Sequence, residues 1–109
     1  MAITQSALAH AVARDLVRTA PPEARIKRIW VWSEHGYVDP ERDYVELAIL
    51  YDPADDAAEQ GFGRALVGLS DLYPDINLGA HTFTVTDLGG LDPGGELRPG
   101  FEEIDLVGE

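Results

Sequence analysis

Tyr44-Val45-Glu46-Leu47-Ala48-Ile49-Leu50-Tyr51 is an apolar, β-branched and aromatic run with one carboxylate inside it. Eight residues of this composition, entered from turn residues and left through Asp52-Pro53, predict a central β-strand running from about Asp43 to Tyr51. Val45, Leu47, Ile49 and Tyr51 then share one face, and Tyr44, Glu46, Ala48 and Leu50 share the other. An ionised carboxylate in such a strand needs a partner, a metal or a cleft. Glu46 therefore poses the functional question.

The sequence upstream supplies a helix and a partner strand. Leu8, Val12 and Leu16 recur at helical spacing, broadened by Ala9, Ala13 and Ala20; Thr4 is placed to cap this helix, with Ile3 and Leu8 as a hydrophobic staple, and Pro21-Pro22 ends it. Arg25 to Ser33 reads as a strand, with Ile29, Val31 and Ser33 on one face and Arg28, Trp30 and Trp32 on the other. His35 to Arg42 is a turn-rich connection. Downstream, Asp52-Pro53-Ala54-Asp55 predicts a helix start, followed by a stripe of Ala58, Phe62, Ala65, Leu66, Leu69 and Leu72. Gly61, Gly63 and Gly68 each weaken that helix, which suggests close packing against the sheet. A third strand is expected over Ile76 to Thr86, with a bulge at Gly79 where the apolar phase changes and a solvated face of Thr82, Thr84 and Thr86.

Asp87 to Gly100 holds five of the eleven glycines and two of the seven prolines, so a loop is expected there; Phe101 to Val107 reads as a short final strand or extended chain. The order is helix, strand, strand, helix, strand, strand. That is an α+β fold, a mixed sheet of three to four strands with two helices packed on it. It makes one domain over residues 1–109, with a core over about 5–87, a loop at 87–100 and an extended segment at 101–109.

Charge and composition narrow the function. The net charge is −12. Residues 1–50 are nearly balanced, whereas residues 51–109 hold thirteen acids against Arg64 and Arg98. Such a surface repels phosphate backbones, so direct nucleic-acid binding is not expected, while a basic protein surface is favoured as partner. Acidity is also a common way of staying soluble. The chain has no cysteine, which removes thiolate chemistry and cysteine-ligated metals. It shows neither a run long enough to span a membrane nor a signal-peptide start, so no membrane contact and a cytoplasmic location are expected.

The junction between the first two strands resembles the minimal nucleotidyltransferases of the polymerase-β-like superfamily. Ile29-Trp30-Val31-Trp32-Ser33-Glu34-His35-Gly36 is similar to that family's first strand and Gly-Ser turn, and Asp43-Tyr44-Val45-Glu46-Leu47-Ala48-Ile49 to its carboxylate strand. The resemblance covers about residues 5 to 87 and implies a nucleotidyltransferase-like fold. It also exposes departures. Trp32 stands where the family has the Gly that admits phosphates, and Tyr44 stands where it has the first of two alternating carboxylates. A lone Glu46 cannot hold two metal ions about 4 Å apart. Asp43 is adjacent but should face the other side of the sheet unless a bulge turns it.

No catalytic residue, metal site or cofactor is therefore expected. The candidate binding cleft comprises Trp32, Ser33, Glu34, His35, Gly36, Asp43 and Glu46. The competing account of Glu46 is an ion pair with Arg28 or Lys27 across neighbouring strands, which the sequence favours. Trp30 and Trp32 read as cover for the sheet under a helix, His35 as a solvated turn residue, and Gly89-Gly90 and Gly94-Gly95 as flexible loop. His10 and His81 lack a second ligand at zinc spacing. Three functions stay open: an inactive nucleotidyltransferase-like domain serving as a binding or regulatory module, an acidic inhibitor or immunity-type protein covering a basic site, and an active Mg²⁺-dependent nucleotidyltransferase. A basic protein partner is favoured, and a homodimer is also open.

Overall fold

A computed structural model describes residues 5–88 and 100–104. Two helices and a four-stranded mixed sheet make an α+β domain. The elements are α1 (Gln5–Thr19), a single 3-10 turn (Pro22–Ala24), β1 (Ile26–His35), β2 (Asp43–Tyr51), α2 (Asp56–Leu72), β3 (Asn77–Thr84), the one-turn α3 (Val85–Leu88) and β4 (Glu102–Glu103). The sheet order is β3-β2-β1-β4, with β1 antiparallel to both β2 and β4, and β2 parallel to β3 through the α2 crossover. The expected central strand is central. Most of the expected 87–100 loop, the Thr4 cap and the chain after Ile104 lie outside the described residues.

Both helices cover one face of the sheet. Ala9, Val12, Ala13 and Leu16 of α1 and Phe62 and Leu69 of α2 pack with Ile29, Val31, Val45, Leu47, Ile49 and Tyr51, the alternate residues of β1 and β2. Burying these side chains removes apolar surface from water at about 25 cal/mol per Å² and drives the fold. The expectation that Trp30 and Trp32 lie under a helix is corrected by this pattern, because they belong to the opposite face. Among the described residues, neither α1 nor α2 packs there.

Three local readings also change, each for a non-local reason. The bulge falls at Lys27, where the β1 to β2 register shifts between Ile26 and Arg28; the extra residue lets both Ile26 and Ile29 face the helices. Gly79 carries no bulge, since β3 pairs with β2 in unbroken register from Asn77 to Thr84. Helix α2 is capped by Asp55, whose Oδ1 accepts from the Ala58 amide at 2.8 Å. Asp52 is engaged elsewhere. Its carbonyl accepts from Arg25 Nε at 2.6 Å, its amide donates to the Arg25 carbonyl at 3.1 Å, and its carboxylate lies 3.4 Å from the Arg25 guanidinium. These bonds hold Arg25 in a left-handed conformation, φ 49°, that costs about 1–2 kcal/mol. β3 stops at Thr84 and the chain turns into α3, so the strand expected to reach Thr86 is shorter.

The α2 glycines do not serve close packing against the sheet. A Cβ on Gly63 or Gly68 meets nothing within 4 Å, whereas one on Gly61 comes 2.9 Å from Cγ of Pro21. Leu72, expected in the buried stripe, is exposed. Gly63→Ala and Gly68→Ala should each raise stability by about 0.5–1 kcal/mol, because Ala restricts the unfolded chain and fits the helix. Urea unfolding of the double variant measures this, and a midpoint at or below the parent's contradicts open space at these sites.

Candidate functional site

The face of the sheet away from α1 and α2 carries the candidate site. Along it run Arg28, Trp30, Trp32 and Glu34 of β1, Tyr44, Glu46, Ala48 and Leu50 of β2, and Asn77, Gly79, His81 and Phe83 of β3, as alternation and register require. Among the described residues, Glu46 is the one buried charged side chain, 7% exposed. It stands opposite Trp32 on one side and Gly79 on the other.

Its partners come from its own strand and from β3. The Tyr44 hydroxyl, two residues back on the same face, donates to Glu46 Oε1 at 2.7 Å. His81 Nε2 lies 3.4 Å from Glu46 Oε2, reaching diagonally from its position opposite Ala48. Gly79 makes room for this arrangement, because a Cβ there would lie 2.3 Å from the Tyr44 hydroxyl oxygen. The absence of a side chain at Gly79 is what lets Tyr44 lie flat and reach Glu46.

The expected Arg28 pair does not form, for a reason of register. Arg28 shares the face with Glu46 but stands opposite Leu50, four residues along β1 from Trp32. It binds Glu103 instead, with Nε to Oε2 at 3.0 Å and Nη2 to Oε1 at 2.6 Å, and its guanidinium lies 4.5 Å from the Trp30 ring centre. Lys27 sits at the bulge, exposed. Thus the carboxylate is held by a phenol and an imidazole.

Around Glu46 the aromatic side chains pack on one another. Tyr37, from the hairpin loop, meets Trp32 edge-on at 5.0 Å and Tyr44 at 5.0 Å, while Tyr44 and Phe101 lie 5.8 and 6.5 Å from Trp32. Such centroid distances mean direct ring contact, so no cation fits between the rings. Of these rings Tyr37 is the most open to solvent, 49% exposed. The ring cluster was not legible in the sequence, where Tyr37 is only a turn residue and Phe101 is far away.

The remaining expected site residues are divided by the sheet. Trp32, Glu34 and Glu46 lie on the open face, with Glu34 exposed at its end. Ser33, His35 and Asp43 belong to the helix-bearing face, where His35 Nδ1 and Asp43 Oδ1 form a 2.7 Å cross-strand pair. Asp43 thus faces away from Glu46, as alternation predicts, and His35 is paired as well as exposed. Gly36 shapes the turn, with φ 79° and its amide donating to the Arg42 carbonyl at 2.9 Å. One cleft containing all seven residues does not exist.

The donor set has consequences for chemistry. Among the described residues, no three His, Asp or Glu side chains converge in a way that would hold a metal ion, and no helix is long and apolar enough to cross a membrane. The Tyr44 phenol occupies one Glu46 oxygen with a neutral donor. Comparison of the chain with family models, with curated proteins and with solved structures finds no match.

Proposed function

We propose that this domain acts by binding, as a catalytically inactive nucleotidyltransferase-like module of the cytoplasm whose open sheet face takes a basic segment of a partner protein. The observation that carries the reading is the Tyr44 to Glu46 hydrogen bond inside a packed aromatic cluster. Where the resemblance puts the first of two alternating carboxylates there is a phenol, and where it puts the glycine that admits phosphates there is the Trp32 ring against Tyr37 and Tyr44. What remains is an aromatic surface with exposed Glu34 at its rim.

A basic side chain suits that surface for electrostatic reasons. The face already holds one guanidinium, Arg28, stacked on Trp30 and gripped by Glu103. A partner's Arg or Lys would repeat this chemistry on the outer surface of Tyr37 with Glu34 as counter-charge. The two tryptophans of the face report binding by fluorescence. A short Lys- and Arg-rich peptide should bind better than a Glu-rich peptide of equal length, more weakly as salt rises, and Tyr37→Ala with Glu34→Lys should reduce the affinity about tenfold or more. Equal binding of the two peptides, or no effect of the double variant, would remove the proposal. Stabilisation by Mg²⁺ with a nucleoside triphosphate, and not by the peptide, would favour a transferase instead.

A further inference from the structure

The open face discriminates between cations by shape as well as charge, and its own arginine shows how. The Arg28 guanidinium lies 4.5 Å from the Trp30 ring centre, and its fork donates twice to Glu103, Nε to Oε2 at 3.0 Å and Nη2 to Oε1 at 2.6 Å. A guanidinium can stack and bond at once, because its N–H groups point outward in the plane that lies on the ring. A lysine ammonium has no such plane. It is a compact, strongly hydrated point charge, and aromatic recognition of ammonium groups characteristically uses a cage of several rings.

The described rings of this face build no cage. Tyr37 lies 5.0 Å from Trp32 and 5.0 Å from Tyr44, so the rings fill the space between themselves. What they offer a partner is the half-exposed side of Tyr37. Glu34 stands on the same face, exposed, two residues along β1 from Trp32 and opposite Tyr44. One ring and one carboxylate are the same two groups that grip Arg28.

We propose that the side chain this face takes from a basic partner is arginine and not lysine, its guanidinium stacked on Tyr37 and its fork on the Glu34 carboxylate. The inference rests on the reading that the open face binds a basic segment, and it narrows that segment to one residue type. Lysine keeps the attraction to Glu34 and to a molecule of net charge −12 but loses the stacked fork. Both peptides should therefore bind, more weakly as salt rises, and differ in affinity.

Labelled peptides of alternating Gly and Arg, or Gly and Lys, equal in length and charge, test this by fluorescence anisotropy. The arginine peptide is expected to bind about fivefold tighter or more. The deciding quantity is the ratio of the two affinities in variants, because it cancels any general preference for arginine. Tyr37→Leu removes the ring and Glu34→Gln the carboxylate charge, and each should bring the ratio close to one; Tyr37→Phe, which restores a ring, should restore the preference. Both positions are exposed, and circular dichroism checks that the variants fold. Equal affinities in the parent protein, or a preference that survives both Tyr37→Leu and Glu34→Gln, overturn the selection of arginine and leave the basic-segment reading standing. Binding of neither peptide overturns that reading and this inference together.

Discussion

Gly79→Ala is expected to lose about 2–3 kcal/mol of stability, far more than a glycine to alanine change in a strand would suggest. The new Cβ would lie 2.3 Å from the Tyr44 oxygen and 3.2 Å from its Cζ, so the phenol has to move. Its ring is held against Trp32 and Tyr37, and the easy escape is closed. Overpacking of this kind costs about 1–3 kcal/mol. Withdrawing the hydroxyl from the buried Glu46 carboxylate costs about another 1–3 kcal/mol. Against this stands a gain of about 0.4–1 kcal/mol from restricting the unfolded chain. Urea unfolding gives the difference, and Tyr44→Phe provides the control. Since the clash involves the hydroxyl, the loss from Gly79→Ala should be smaller in a Tyr44→Phe background, a coupling that a double-mutant cycle reads directly. A neutral Gly79→Ala would mean that Tyr44 does not lie over Gly79.

Phe62→Ala is expected to lose about 3–5 kcal/mol, the larger effect. Phe62 is 1% exposed and stacks on Tyr51 with ring centres 4.3 Å apart and planes 24° from parallel. It joins the first half of α2 to the end of β2, and the other buried residue of that half, Ala58, is small. Domains of this size have about 5–15 kcal/mol in total, so the variant should keep little margin and melt well below the parent. Phe62→Leu should recover much of the loss by refilling the volume. A loss under about 1 kcal/mol for the alanine variant would show that α2 is held by other contacts.

What the sequence made legible were features with local period. The stripe of Val12, Ala13 and Leu16, the two faces of β2 and the orientation of Asp43 away from Glu46 follow from repeats of 3.6 and 2 residues. The partners of Glu46 were half legible. Tyr44 lies two residues away on the same face, and that much is in the spacing; His81 and Gly79 reach Glu46 only through the parallel register set by α2. Arg28 looked like a partner because it shares a face, but the β1–β2 hairpin register sets it opposite Leu50, four residues along β1 from Trp32, which is the residue that faces Glu46. The start of α2 moved by one turn because Arg25, distant in sequence, takes Asp52. In each case a contact between remote segments overrode a sound local preference.

The contact that closes the sheet on its other side has a consequence for assembly. Arg28 binds Glu103 and the Ile104 amide donates to the Ile29 carbonyl at 2.8 Å, joining residues 75 apart. The β1–β2 hairpin needs only the short Gly36 to Arg42 connection, so it can form while most of the chain is unmade. β4 is the last of the described strands to be made. At translation speeds of about 5–20 residues per second, β1 stays unpaired along that edge for roughly 3 to 13 seconds after it is synthesised. The nascent domain therefore passes through a state in which Trp30 and the outer edge of β1 have not yet met the strand that completes them.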